Sequence, residues 1–162
     1  MNKKTYMNKD IVKISGLNRN TIRAYSMSKL VPATILDGAG TGSNRLYSQT
    51  DLLKFCLVPI LTKAGLSLGK IRIVFEQLKR DLFSPSNGFL YHESPNRAFI
   101  GIYDADENLE AKVVQMPDPD KCERVVKDLM AGNLKTFTVD MLYHKTCLVV
   151  DITSAMNALP KT

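Results

Sequence analysis

Residues 18–47, NRNTIRAYSMSKLVPATILDGAGTGSNRLY, limit what this chain can fold into more than any other stretch. Asn18 is a favoured helix N-cap, because its side chain can accept one of the backbone N–H groups that a helix start leaves without a partner. The helical run that follows closes at Leu30-Val31-Pro32. Proline cannot continue a helix, and it pushes the residue before it toward extended geometry. Ile22 and Tyr25 lie three apart and share a face that Leu17 and Leu30 close, while Asn20, Thr21 and Arg23 point elsewhere. Beyond Pro32 comes a glycine-rich excursion, DGAGTGSN at 37–44, and a return through Arg45-Leu46-Tyr47-Ser48. A short helix with a polar outer face, followed by a looping excursion that comes back, has the form of a second helix and a wing.

The preceding residues supply the first helix. Asn8-Lys9-Asp10 can cap and begin it, Asp10 favours the opening turn, and Ile11, Ile14 and Leu17 give a buried stripe. Gly16 stands where this helix must stop, since glycine accepts the positive φ of a tight turn. In a helix-turn-helix the N-terminal part of the second helix lies in the major groove of duplex DNA. Here that part carries Asn18, Arg19, Asn20, Thr21 and Arg23.

Charge is distributed to match. Residues 1–83 hold 14 Lys+Arg against 5 Asp+Glu, hence +9, and residues 84–162 hold 8 against 11, hence −3. A field of the first sign speeds encounter with a polyanion and gives binding a steep salt dependence; a lysine-rich solvated surface explains the charge alone equally well. A hydrophobic content of 44% supports a packed core. No apolar run approaches the roughly 20 residues that a bilayer requires, so we expect a cytoplasmic, nucleoid-associated protein without a membrane partner. Cys56, Cys122 and Cys147 are too scattered for a disulfide framework or a metal knuckle and are expected to be buried free thiols.

The run IVKISGLNRNTIRAYSMSKLVP, followed by RLYSQTDLLKFCLVPILTKAGLSLGKI, resembles the DNA-binding domain of the MerR family of transcriptional regulators. Gly16-Leu17-Asn18, Thr21-Ile22-Arg23-Ala24-Tyr25, Leu30-Val31-Pro32, Arg45-Leu46-Tyr47 and Ala64-Gly65-Leu66-Ser67-Leu68 occupy, in order, the places of the family's turn, recognition helix, helix exit, wing closure and following helix pair. The resemblance covers about half the chain and implies a winged helix-turn-helix. It gives Arg23 a base or phosphate contact, Tyr25 a phosphate contact, Arg45 the wing's approach to the minor groove and flanking backbone, and Tyr47 a supporting contact at the wing base. An arginine fork and a tyrosine hydroxyl suit these roles, although core packing accounts for Tyr25 and Tyr47 as readily.

Departures from the family pattern bear on specificity. Asn20 replaces an arginine, Ala24 a tyrosine and Ser26 a glutamate, so fewer charges face the groove. Asn20 can pair with adenine if it reaches a base edge. The wing is long, with Gly38, Gly40 and Gly42, and ordering such a tip costs entropy. As a phosphate-cradling loop DGAGTGSN fails, because no lysine follows and it does not lead from a strand into a helix.

A helix from Gln49 toward Gly65 and a shorter one from Ser67, its cap, through Leu78 come next. Pro59 lies inside the first, and a kink or break is expected near Cys56. Ser84-Pro85-Ser86-Asn87-Gly88 then reads as a linker, where MerR regulators continue into a long dimerisation helix. Residues 89–162 read as an α+β module in the order βββαββ: strands at Phe89–His92, Ala98–Asp104 and Leu109–Met116, a helix capped by Asp118 and stopped by Gly132, strands at Lys135–Leu142 and Lys145–Ile152, and a short terminal helix from Ser154. The expected fold class is α+β: a winged helix-turn-helix over 1–83, a linker at 84–88, and a mainly antiparallel sheet with one packed helix over 89–162.

Two classes of function fit. One is a sequence-specific regulator of transcription that binds double-stranded DNA and whose C-terminal module senses a small-molecule effector or forms a homodimer. The other is a DNA-tethered adaptor whose C-terminal sheet recruits a protein partner. His92, Glu93 and His144 lack a clustered partner for metal or acid–base work, and no nucleophile–base pair is visible. We therefore expect neither catalysis nor a cofactor nor a metal site.

Overall fold

A computed structural model describes residues 5–36, 45–79, 98–105, 108–115, 136–141 and 145–160. The wing tip at 37–44, the linker at 84–88, the expected strand at Phe89–His92 and the helix between Asp118 and Gly132 lie outside the described residues, as do His92, His144, Cys122 and the side chain of Cys147.

Four helices make the N-terminal part: α1 (Asn8–Ser15), α2 (Arg19–Met27), α3 (Gln49–Lys63) and α4 (Leu68–Gln77). Their ends follow local chemistry. The cap of α1 is Met7 rather than Asn8, because the Asp10 carboxylate reaches back 2.8 Å to accept the Met7 N–H. At its other end Gly16, with φ of 72°, donates its N–H to the Val12 carbonyl. Asn18 caps α2, Ser48 caps α3 and Ser67 caps α4, each side-chain oxygen accepting the N–H three residues on.

Helix α2 stops earlier than the run to Leu30 implies. Lys29 takes a left-handed φ of 57°, and the Leu30 and Val31 N–H groups both turn back to the Tyr25 carbonyl. Helix α3 runs unbroken through Pro59, so of the expected kink or break the break does not occur. Proline removes a single N–H from the ladder, and Phe55, Cys56, Leu57, Val58 and Leu61 on either side of it are all buried, which holds the helix together.

Strands β1 (Ala98–Ala105), β2 (Asn108–Gln115), β3 (Thr136–Met141) and β4 (Lys145–Asp151) form one antiparallel sheet in the order β2-β1-β4-β3. Ile100 lies opposite Val150, and Ile102 lies between Ala111 and Leu148. Because strand side chains alternate, these residues share one face, and they join the same apolar cluster as the helices. Helix α5 (Thr153–Ala158) follows β4 directly and packs on α1 and α3, while α4 packs along β2. A single buried cluster therefore runs from Tyr6 and Ile11 through Phe55 and Val74 to Ile152 and Leu159.

Candidate nucleic-acid interface

Helix α2 is built so that one side is locked and the other is free of packing. Ile22 and Ser26 are buried, four residues apart and therefore one above the other on the inner face. Arg19, Asn20 and Arg23 are exposed, as is Met27 at 63%. Arg19, Arg23 and Met27 repeat every four residues, so they line an outer stripe with Asn20 beside it. No acidic residue occurs anywhere in α2.

The remaining sequence candidates divide by burial. Asn18 is exposed, but its Oδ1 accepts the Thr21 N–H at 2.8 Å, so its acceptor is engaged in capping. Thr21 and Tyr25 are half-buried, and the Tyr25 ring packs against the core. Arg45 is half-buried at the base of the wing, one residue before Leu46, which pairs with Leu36 through reciprocal backbone hydrogen bonds of 3.0 and 3.1 Å. Tyr47 departs from the expectation of a contact residue. It is fully buried, edge-on to Phe55 with ring centroids 5.4 Å apart, and its hydroxyl meets the Ser26 hydroxyl. A phenol enclosed on all sides cannot reach a phosphate, so Tyr47 supports the wing from within.

Two anchoring contacts escaped sequence reasoning. Asp51 is fully buried in the first turn of α3. Its Oδ2 accepts the Thr34 N–H at 3.1 Å, the Thr34 hydroxyl at 2.6 Å and the Ser48 N–H at 2.9 Å. Thr34 precedes the wing and Ser48 follows it, so one carboxylate oxygen clamps both arms. The string Ser48-Gln49-Thr50-Asp51 is a capping-box signature and was available as a signal; the reach to Thr34 was not. Next to it, burial lowers the pKa of the Lys54 ammonium, and the charges of Asp51 and Glu76 oppose that effect.

The second anchor is Arg72 on α4. Its Nη2 donates to the Ser28 carbonyl at 2.7 Å, placing a cation on the C-terminal end of α2, where the helix dipole favours one. This side chain reads in sequence as another solvated or phosphate-facing charge, since its partner lies 44 residues away. Among the described residues no group of three or more His, Cys, Asp or Glu could hold a metal ion, and no helix is long and apolar enough to cross a membrane.

Residues 6–78 match the model of the MerR HTH family of regulatory proteins. Over 75 residues the chain is 32% identical to an uncharacterised HTH-type transcriptional regulator of Mycobacterium bovis and, at the same identity, to one of Mycobacterium tuberculosis. Each match takes in 46% of this chain and 33% of the relative. The chain thus spans about a third of the length of the curated relatives it matches. A MerR-family transcriptional regulator of Bacillus cereus, known from a crystal structure, is similar over 46% of this chain and 53% of its own, with 22% identity and a TM-score of 0.40.

Proposed function

We propose, from the match of residues 6–78 to the MerR helix-turn-helix family, that this protein regulates transcription by binding double-stranded DNA, with α2 in the major groove and the wing on the flanking backbone and minor groove. The observation that carries the reading is the outer face of α2. Arg19, Asn20 and Arg23 project from a helix that is buried on its other side and contains no acidic residue. Arg23 offers a planar fork to a guanine edge or a phosphate, Asn20 suits an adenine edge, and Arg19 sits at the N-terminal end nearest the phosphates. Arg45 extends the positive surface to the wing, and Asn18 and Thr21 serve by fixing the start of the helix. Tyr25, half-buried, lends its hydroxyl to the backbone.

In this reading residues 1–83 read DNA, 84–88 connect, and the acidic part from 89 onward regulates. The packing of α5 on α1 and α3, and of α4 on β2, favours a module that modulates the DNA-binding helices over one that hangs free to recruit a partner. Homodimerisation through this module and response to a small-molecule effector belong to the same proposal. A C2 dimer would set two recognition helices about one helical turn of DNA or more apart and would require a pseudo-palindromic site.

Selection of bound duplexes from a random DNA pool tests the reading. We expect enrichment of a defined sequence that Arg23→Ala loses. An inverted repeat supports the dimer and fixes the half-site spacing, whereas a single half-site removes the dimer and leaves the regulator. Salt-sensitive binding with no enriched sequence, unchanged by the mutation, would sink sequence-specific regulation.

A further inference from the structure

Helix α4 makes two unusual contacts, and they lie on opposite flanks of its buried stripe. Ile71, Val74, Phe75 and Leu78 face the core. At about 100° per residue, Arg72 and Gln77 each stand roughly 110° from the centre of that stripe, on opposite sides. Arg72 holds the Ser28 carbonyl at the end of α2. Gln77 holds the sheet: its Nε2 donates to the Leu109 carbonyl, and its Oε1 accepts the Ala111 N–H.

The Gln77 contact has the form of strand pairing. Leu109 and Ala111 are two apart on β2, so in an antiparallel ladder their outward backbone groups are those a further strand would bind. A side-chain amide, with one acceptor and one donor side by side, satisfies both at once. It therefore caps this part of the outer edge of β2 and fixes α4 to the sheet at a defined register. Hydrophobic packing of α4 on β2 alone would tolerate sliding; a bidentate amide does not.

We infer that Gln77 and Arg72 are positioning residues that make α4 a strut between the C-terminal sheet and the recognition helix, so that the state of the sheet sets the pose of α2. This rests on the DNA-binding reading for its consequence, though not for its geometry. A shift of β2 moves Gln77, α4 carries the displacement to Arg72, and the last turn of α2 follows through the Ser28 carbonyl. Whatever binds or reshapes the sheet thereby changes DNA affinity without touching DNA. Coupling of this kind is energetic and needs a direct test of interaction between the two ends.

The full-length chain, labelled with 15N, is compared with Gln77→Ala and Arg72→Ala for amide shifts and for affinity toward the duplex selected by the unmodified protein. Gln77→Ala should speed hydrogen exchange at the Ala111 amide, shift the amides of Ser26, Met27 and Ser28, and weaken DNA binding on the order of fivefold. Because the two residues act through one helix, the double variant should lose less than the product of the single losses. Faster Ala111 exchange with unmoved α2 amides and unchanged affinity overturns the strut while leaving DNA binding intact. If the unmodified protein binds no duplex, the functional reading fails and the α2 shifts alone decide the strut. Should Gln77→Ala not fold, Gln77→Glu carries the same test, since it keeps an acceptor for Ala111 and removes the donor to Leu109.

Discussion

The hydroxyls of Ser26 and Tyr47 lie 3.0 Å apart in the interior, 21 residues from one another in the chain. This contact ties the inner face of α2 to the return arm of the wing, so the two parts that would grip DNA share one buried hydrogen bond. Tyr47→Phe leaves the ring packed on Phe55 and strands the Ser26 hydroxyl. It should lower unfolding free energy by about 1 kcal/mol, and Ser26→Ala combined with it should add little, as expected for partners in one bond. Denaturant unfolding of the three variants checks this. If Tyr47→Phe instead left stability untouched and lowered the salt slope of DNA binding, the tyrosine would be a phosphate contact after all.

Asp51 gathers the two arms of the wing at one oxygen. Asp51→Ala leaves the partly buried Thr34 and Ser48 N–H groups without their acceptor, and a loss of roughly 1–3 kcal/mol is expected. Thr34→Val removes only the hydroxyl and should lose about 1 kcal/mol. Urea unfolding measures both; equal effects would show that Thr34 acts mainly through its hydroxyl rather than its backbone.

Three helix ends use left-handed backbone, two with glycine, Gly16 and Gly65, and one without. Gly16 has φ of 72° and open space around the position of an added Cβ, so Gly16→Ala should destabilise through backbone conformation alone, by roughly 1 kcal/mol. Lys29, at φ of 57°, bears that strain already. Lys29→Gly should stabilise by about 0.5–1 kcal/mol. Opposite signs in thermal unfolding are the expected outcome, and a destabilised Lys29→Gly would mean that the lysine side chain contributes more than its backbone strain removes.

Cys56 sets an alkaline limit. Burial disfavours the thiolate and pushes the thiol from 9.0 up to about 11. The unfolded chain keeps the ordinary value, so the preference for neutral thiol is complete below pH 9 and vanishes as pH rises toward 11. Melting temperatures measured across that interval should fall less steeply for Cys56→Ala than for the unmodified chain. The same burial predicts slow alkylation of Cys56 in the native state at neutral pH and fast alkylation in urea.

Much of the helical part was legible because its signals are local. Asn18, Ser48 and Ser67 satisfy N–H groups three residues away, and Gly16 acts at its own φ, so each can be read without knowing the fold. The strands at 98, 109, 135 and 145 were legible to within a residue or two by alternation. What stayed hidden acts across distance: Asp51 on Thr34, Arg72 on Ser28 and Gln77 on β2 are side chains binding backbone groups that sequence gives no reason to bring near. Tyr47 illustrates the same limit. Its family position names a role at the wing, yet only the packing of Phe55 and Ser26 around it decides that the role is internal. Pro59 does not end α3, because the local loss of one hydrogen bond is outweighed by a helix in which eight of fifteen residues are buried.

The central pairing of the sheet joins β1 to β4, with Ile100 opposite Val150, whereas only two residues separate β1 from β2 and three separate β3 from β4. Loop closure over a long separation is the slower event. Folding should therefore proceed by quick formation of the helices and the two hairpins, followed by one late step that zips β1 against β4. Since α5 follows β4 directly and covers α1 and α3, that late step also seals the apolar surface of the helical part. During synthesis, the N-terminal helices would wait with a sticky flank uncovered until the last strand arrives.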